Sequence, residues 1–116
     1  MNRQFSISNR NEVQILQPQN LFNEFVIKEI LKAAQSQIEK GFTNFVVDLS
    51  KIDYMNSVGL NLLINLKTKT KDLGGIIAVA NASDKILQLL EVTKLKPMFR
   101  LTNSVEEALQ GFKAKD

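Results

Sequence analysis

The chain has 116 residues, of which 44% are hydrophobic and 23% charged, with a net charge of +3. That is the size and balance of one globular domain, taken here as residues 1–116. It holds no cysteine and no histidine, which excludes disulfides, thiolate nucleophiles, zinc–sulfur sites and every mechanism built on an imidazole.

The same composition argues against an enzyme, because carboxylate and lysine chemistry is what remains. No apolar run approaches the roughly 18 residues of a membrane span. The N-terminal "MNRQFSISNRNEV" lacks the apolar core of a signal peptide. The expected location is therefore the cytoplasm, with no membrane contact.

In chain order, "RQFSIS" (3–8) and "EVQIL" (12–16) alternate apolar and polar residues around "NRN" (9–11), which predicts a β-hairpin at a sheet edge. Pro18 stops its second strand. Asn20 is a candidate N-cap for a long helix over about 21–40, with Ile27, Leu31, Ala34 and Ile38 on one face and Gly41 at the C-terminal cap. "FVVDL" (45–49) and "IIAVA" (76–80) are short, nearly all-apolar strands of the kind buried on both faces in parallel sheets. A helix from about 57 to 73 links them as a right-handed βαβ unit.

Beyond residue 80, Ser83 caps a short helix that turns Ile86, Leu87 and Leu90 inward. "MFRL" (98–101) predicts a short strand. Ser104 and Glu107 are spaced as a capping box for a last helix ending near Phe112. The predicted fold is α/β, a mixed sheet of about five strands with packed helices, in the order ββαβαβαβα.

The stretch "YMNSVGLNLL" (54–63) is the most informative. On a helical wheel, Val58, Gly59, Leu62, Leu63, Leu66 and Leu73 form the core face. Gly59 within that face predicts close approach of the helix to a strand. Ser57, Asn61, Asn65 and Thr68 face outward, flanked by Leu60 and Ile64. Those two aliphatics either pack under a neighbouring loop or form a partner-docking patch. Ser57 could be a cap alone. It also stands at a helix N-terminus, where free N–H groups favour an anion, at the end of a buried parallel strand. Lys67, Lys69 and Lys71 in "KTKTK" fit a solvated helix face whose C-terminal dipole they complement. A nucleic-acid surface would be larger and interleaved with aromatics, so no nucleic-acid partner is expected.

"VVDLSKIDYMNSVGLNLLINLKTKTKDLGG" resembles the signature of STAS domains and, more narrowly, is similar to bacterial anti-sigma factor antagonists. Asp48, Leu49 and Ser50 match the first element of that signature. Met55, Ser57, Gly59 and Leu60 match the second. "ASDKILQLLEVTKLKPMFRLTNSVEEAL" resembles the C-terminal third. Residues 44–112 carry the likeness, whereas the first 40 agree in element order only, with "QPQN" (17–20) replacing a loop that is often Gly- and Asp-containing.

The resemblance implies a protein that binds an anti-sigma factor which is also a serine kinase. That kinase phosphorylates the matching serine, Ser57, and a PP2C-type phosphatase reverses the step. The expected partner-binding residues are Asn56, Val58, Leu60, Asn61, Ile64 and Asn81. No cofactor is implied, because ATP and its metal would belong to the kinase. In two places the chain departs from the pattern. Asn56 stands where the family has Asp, and Val58 replaces a second Ser or Thr, which leaves Ser57 as the local acceptor. The Asn56 departure also suits an alternative, a non-switching scaffold or a subunit of a larger assembly.

Overall fold

A computed structural model describes residues 4–113. Its elements are β1 (Phe5–Arg10), β2 (Val13–Pro18), α1 (Glu24–Glu39), β3 (Phe45–Asp48), α2 (Ser57–Lys71), β4 (Ile77–Ala80), α3 (Asp84–Val92), β5 (Arg100–Thr102) and α4 (Val105–Lys113), with a 3₁₀ turn at Lys96–Met98 before β5. The order is the predicted ββαβαβαβα. The five strands lie side by side in sequence order. β1 is antiparallel to β2, and β2 through β5 are parallel, so the sheet is mixed.

Alternation along the strands sorts the core onto two faces. Leu16, Phe45, Val47, Ile77 and Val79 join the large cluster shared with α1, α2 and α3. Val13, Ile15, Val46, Ala78 and Ala80 meet Ala108 and Leu109 of α4 on the other face. β3 and β4 are therefore buried along their whole length, as their unbroken apolar runs predict. Each fully buried Leu, Ile, Val or Phe side chain stabilises the fold by roughly 1.5–3 kcal/mol.

Several boundaries differ from the sequence-based expectation. The hairpin turn is Asn11–Glu12, both at positive φ (55° and 69°), with Arg10 paired to Val13. This is the two-residue turn that matches strand twist, so β1 runs two residues further than expected. Arg3, at the start of the predicted strand, lies outside the described residues. α1 begins at Glu24, capped by the Asn23 side chain, which accepts from the Phe25 and Val26 amides. Asn20 instead closes a local turn by accepting from the Phe22 amide at 2.8 Å. α2 ends at Lys71, so Leu73 falls beyond it and is exposed. Ser83 and Ser104 cap as predicted. The Glu107 carboxylate reaches back one residue further than a standard capping box, to the Asn103 amide.

Gly59 does sit at a close approach, but its neighbours are side chains rather than a strand. A Cβ there would lie 2.8 Å from Met55 Cβ and 3.2 Å from Leu21 Cβ. Gly59→Ala would gain about 0.5–1 kcal/mol of helix propensity and incur about 1–3 kcal/mol of overpacking. The expected result is a net loss of stability in urea denaturation. An unchanged or raised midpoint would mean that the Met55 loop yields freely.

Candidate functional site

The site forms where the C-terminal ends of the parallel strands meet the start of α2. Its anchor is Asp48, the last residue of β3, only 7% exposed. Its Oδ2 accepts from Gln17 Nε2 of β2 at 2.9 Å. Its Oδ1 accepts from Asn81 Nδ2, just past β4, at 2.9 Å and from the Ser50 amide at 3.0 Å. One carboxylate thus ties together three strand ends. The loop from Leu49 to Asn56 is held further by Ser83 Oγ, which donates to the Asp53 carbonyl at 2.7 Å. It is pinned from below by buried Leu49, Ile52 and Met55.

Burial pushes the Asp48 carboxyl up. The hydrogen bonds from Asn81, the Ser50 amide and Gln17 outweigh that and hold it below the ordinary carboxylate range. In the unfolded chain it titrates near about 3.9. The lowered folded value means that its stabilisation is complete above about pH 4 and is lost as pH falls through the folded value. Asp48→Asn should cost roughly 1–3 kcal/mol near neutrality, because a donor replaces an acceptor. It should also remove part of the acid-induced loss. Denaturation curves of both proteins from about pH 5 to about pH 2 check this; stability profiles that run parallel would contradict it.

The loop delivers Asn56 and Ser57 to the surface. Asn56 is the N-cap of α2, its Oδ1 accepting from the Val58 amide at 3.0 Å. Ser57 is therefore the first helical residue rather than the cap. It is exposed, and the first turn of α2 holds no acidic side chain. A hydroxyl there faces the positive end of the helix dipole, which favours an added anion.

The other expected residues separate. Asn61 is exposed, while Val58 and Ile64 are half-buried. Leu60 does not face outward as the wheel implied. It is 8% exposed and belongs to the cluster that also holds Ile86 and Leu90 of α3. α2 is flanked as well as backed, with α1 packed along it and β4 behind it. Asn81, at φ 61°, turns its amide inward to Asp48.

Three aromatics near this end escaped the sequence reading. Phe22, Phe25 and Tyr54 are 55%, 69% and 43% exposed. Phe22 and Tyr54 line one depression of about 460 Å³. Leu21, next to Phe22, reaches Gly59, which places this depression beside the first turn of α2. The available signal was that Phe22 and Phe25 lie off the apolar face of α1 set by Ile27, Leu31, Ala34 and Ile38. Gln17 was missed because nothing local distinguishes it from any other strand amide.

A family model described as the STAS domain matches residues 4–108. The anti-sigma-B factor antagonist of Bacillus subtilis (strain 168) is 22% identical over 104 residues, covering 88% of this chain and 92% of that protein. The crystal structure of a protein from Thermotoga maritima, provisionally named an anti-sigma factor antagonist, superposes with a TM-score of 0.84 at 21% identity, over 92% of each chain. The anti-sigma factor antagonist SpoIIAA in its unphosphorylated form gives a TM-score of 0.82 at 15% identity, over 95% of this chain and 96% of that one. The phosphorylated form of SpoIIAA from Bacillus gives 0.75 at 16% identity, over 93% of this chain and 98% of that one.

Proposed function

The chain belongs to the STAS domain family, and from that premise we propose that it is an anti-sigma factor antagonist switched by phosphorylation of Ser57. Unmodified, it binds a cytoplasmic partner that is both anti-sigma factor and serine kinase, and so releases the sigma factor. Phosphorylated by that partner, it lets go. A PP2C-type phosphatase restores it. The chain is a binding module rather than an enzyme in this scheme, and ATP and metal are bound by the kinase.

The observation that carries the proposal is the state of Ser57. It is exposed at the first position of α2, with capping left to Asn56 and no carboxylate in the first turn. The contact surface is built from Asn56, Ser57, Asn61 and the exposed edge of Ile64, with Phe22, Phe25 and Tyr54 beside them. Exposed aromatics are the residue type that most often anchors an interface. Leu60 and Asn81 act from behind, one by packing and one through Asp48.

The test is capture followed by labelling. Immobilised chain should retain from its host extract a protein that, given ATP and Mg²⁺, phosphorylates Ser57. Ser57→Ala should retain the same protein and take no phosphate. Label on Ser50 or Thr68 instead would overturn the assignment.

A second reading, a STAS domain that binds without switching, is favoured by Asn56, which removes a charge beside the acceptor. Asn56→Asp separates the two. Both residues cap well, so stability should change little. If the missing charge limits switching, the variant is phosphorylated faster or binds the kinase more tightly. Equal rates and affinities would make Asn56 a neutral replacement.

A further inference from the structure

The groove between α1 and α2 carries positive charge that the Ser57 site does not use. Lys28 and Lys32 of α1 and Lys69 of α2 line a space of about 610 Å³, with half-buried Leu31 also in its lining. Lys69 Nζ is held across the groove by donating to Gln35 Oε1 at 3.1 Å. The acidic side chain in the lining, Glu39, accepts from Gln35 Nε2 at 3.3 Å. Among the described residues the ion pair is Arg10–Glu106, away from this groove. Among the described residues no carboxylate lies within ion-pair distance of the three lysines, Glu24 standing one turn before Lys28 on α1. Lys28 and Lys32 are one helical turn apart on α1, and Lys69 reaches Gln35 on the following turn, so the three ammonium groups line the same space.

The groove is continuous with the Ser57 site. Ser57, Asn61, Asn65 and Lys69 follow one another at four-residue steps along α2. At 3.6 residues per turn each step rotates slightly, so this stripe winds from the tip of α2 into the groove that Asn65 and Lys69 line. On α1, exposed Phe25 is three residues before Lys28 and shares its side of the helix.

We propose that the α1–α2 groove is the second half of the surface that docks the anti-sigma partner, and that it takes a carboxylate-rich segment of that protein. The proposal rests on the antagonist reading above. Within the groove lining, three lysines against one glutamate favour an acidic occupant. Three are fewer than the roughly four to eight basic residues of a lipid-reading cluster. Besides Glu39 and Ser36 the groove lining is aliphatic, amide and ammonium, without the stacked aromatics that single-stranded nucleic acid uses. A phosphate on Ser57 has the same sign as such a partner, so the modification adds repulsion at one end of the surface that attracts it.

The test uses the kinase recovered by the capture experiment. Its association with the wild-type chain and with the triple variant Lys28→Glu/Lys32→Glu/Lys69→Glu is measured by surface plasmon resonance at about 50 mM and about 500 mM NaCl. At low salt the variant should bind at least about tenfold more weakly, through slower association. At high salt the gap should close. The matching Lys→Gln triple variant should fall between. Thermal melts control for folding. If the triple variant melts early, Lys28→Glu and Lys69→Glu singly carry the comparison.

Equal low-salt affinities would overturn the proposal. So would unchanged kinase affinity together with loss of binding to phosphatidylglycerol vesicles or to a single-stranded RNA, which would give the groove to those ligands. Failure of the antagonist reading looks different. No kinase would be retained by either the wild-type chain or Ser57→Ala, and the groove proposal would fall with it.

Discussion

A phosphate on Ser57 should lower affinity for the anti-sigma partner by at least about a hundredfold while leaving the fold intact. The group adds about −1.5 to −2 charge at pH 7. At the first position of α2, with Asn56 capping and no acidic neighbour in the first turn, that charge favours the helix by roughly 0.3–1 kcal/mol. It therefore gives no reason for the domain to unfold. In the complex it must be desolvated against Asn56, Asn61 and Ile64, none of which is cationic. Burying it there costs several kcal/mol, and about 1.4 kcal/mol is a factor of ten. Amide NMR spectra and partner titrations of the two forms check this. Chemical-shift changes confined to the 49–61 region, an unchanged melting temperature and lost binding are expected. Changes spread through the whole sheet would mean that the switch is conformational.

Leu60→Ala should destabilise the protein by about 2–5 kcal/mol and leave partner affinity nearly unchanged. The side chain is 8% exposed, within the cluster shared by α1, α2 and α3. Its truncation removes transfer energy and leaves a cavity. Ile64, half-buried one turn on, should behave differently. It lies on the Ser57 side of the helix, two turns on, so Ile64→Ala should lose affinity as well as some stability. Melting curves run beside binding curves separate these effects. A Leu60→Ala protein that melts normally yet fails to bind would place Leu60 in the interface after all.

The sheet was legible because its chemistry is local. "FVVD" and "IAVA" are too apolar for anything but strands buried on two faces, and the caps Ser83 and Ser104 stand next to the runs they start. The start of α1 was less legible because Asn20 and Asn23 are the same residue three positions apart. One closes a turn and the other caps, and only the three-dimensional path of the chain distinguishes them. Ser57 and its neighbours could be placed from the "NSVGL" pattern. Leu60 could not, because a helical wheel supposes one packing surface and α2 packs against α1 as well as the sheet. Asp48 was visible as a motif residue, but its role joins Gln17, Ser50 and Asn81, which come from three separate segments. Long-range polar contacts of that kind leave no periodicity in a sequence. Lys69 reads from the sequence as part of the solvated "KTKTK" face because Lys28 and Lys32 are distant from it in sequence, and the packing of α1 against α2 is what brings the three together.

The central claim is that one phosphate, on Ser57, divides the chain into bound and free pools. The most direct measurement is intact mass spectrometry with peptide mapping on both pools, purified from the native host. One pool is the chain that co-purifies with the anti-sigma kinase, and the other is the chain that does not. The bound pool should hold unmodified chain, and the free pool singly phosphorylated chain with the phosphate mapped to Ser57. Unmodified chain throughout, phosphate on another residue, or equal phosphorylation in both pools would contradict it.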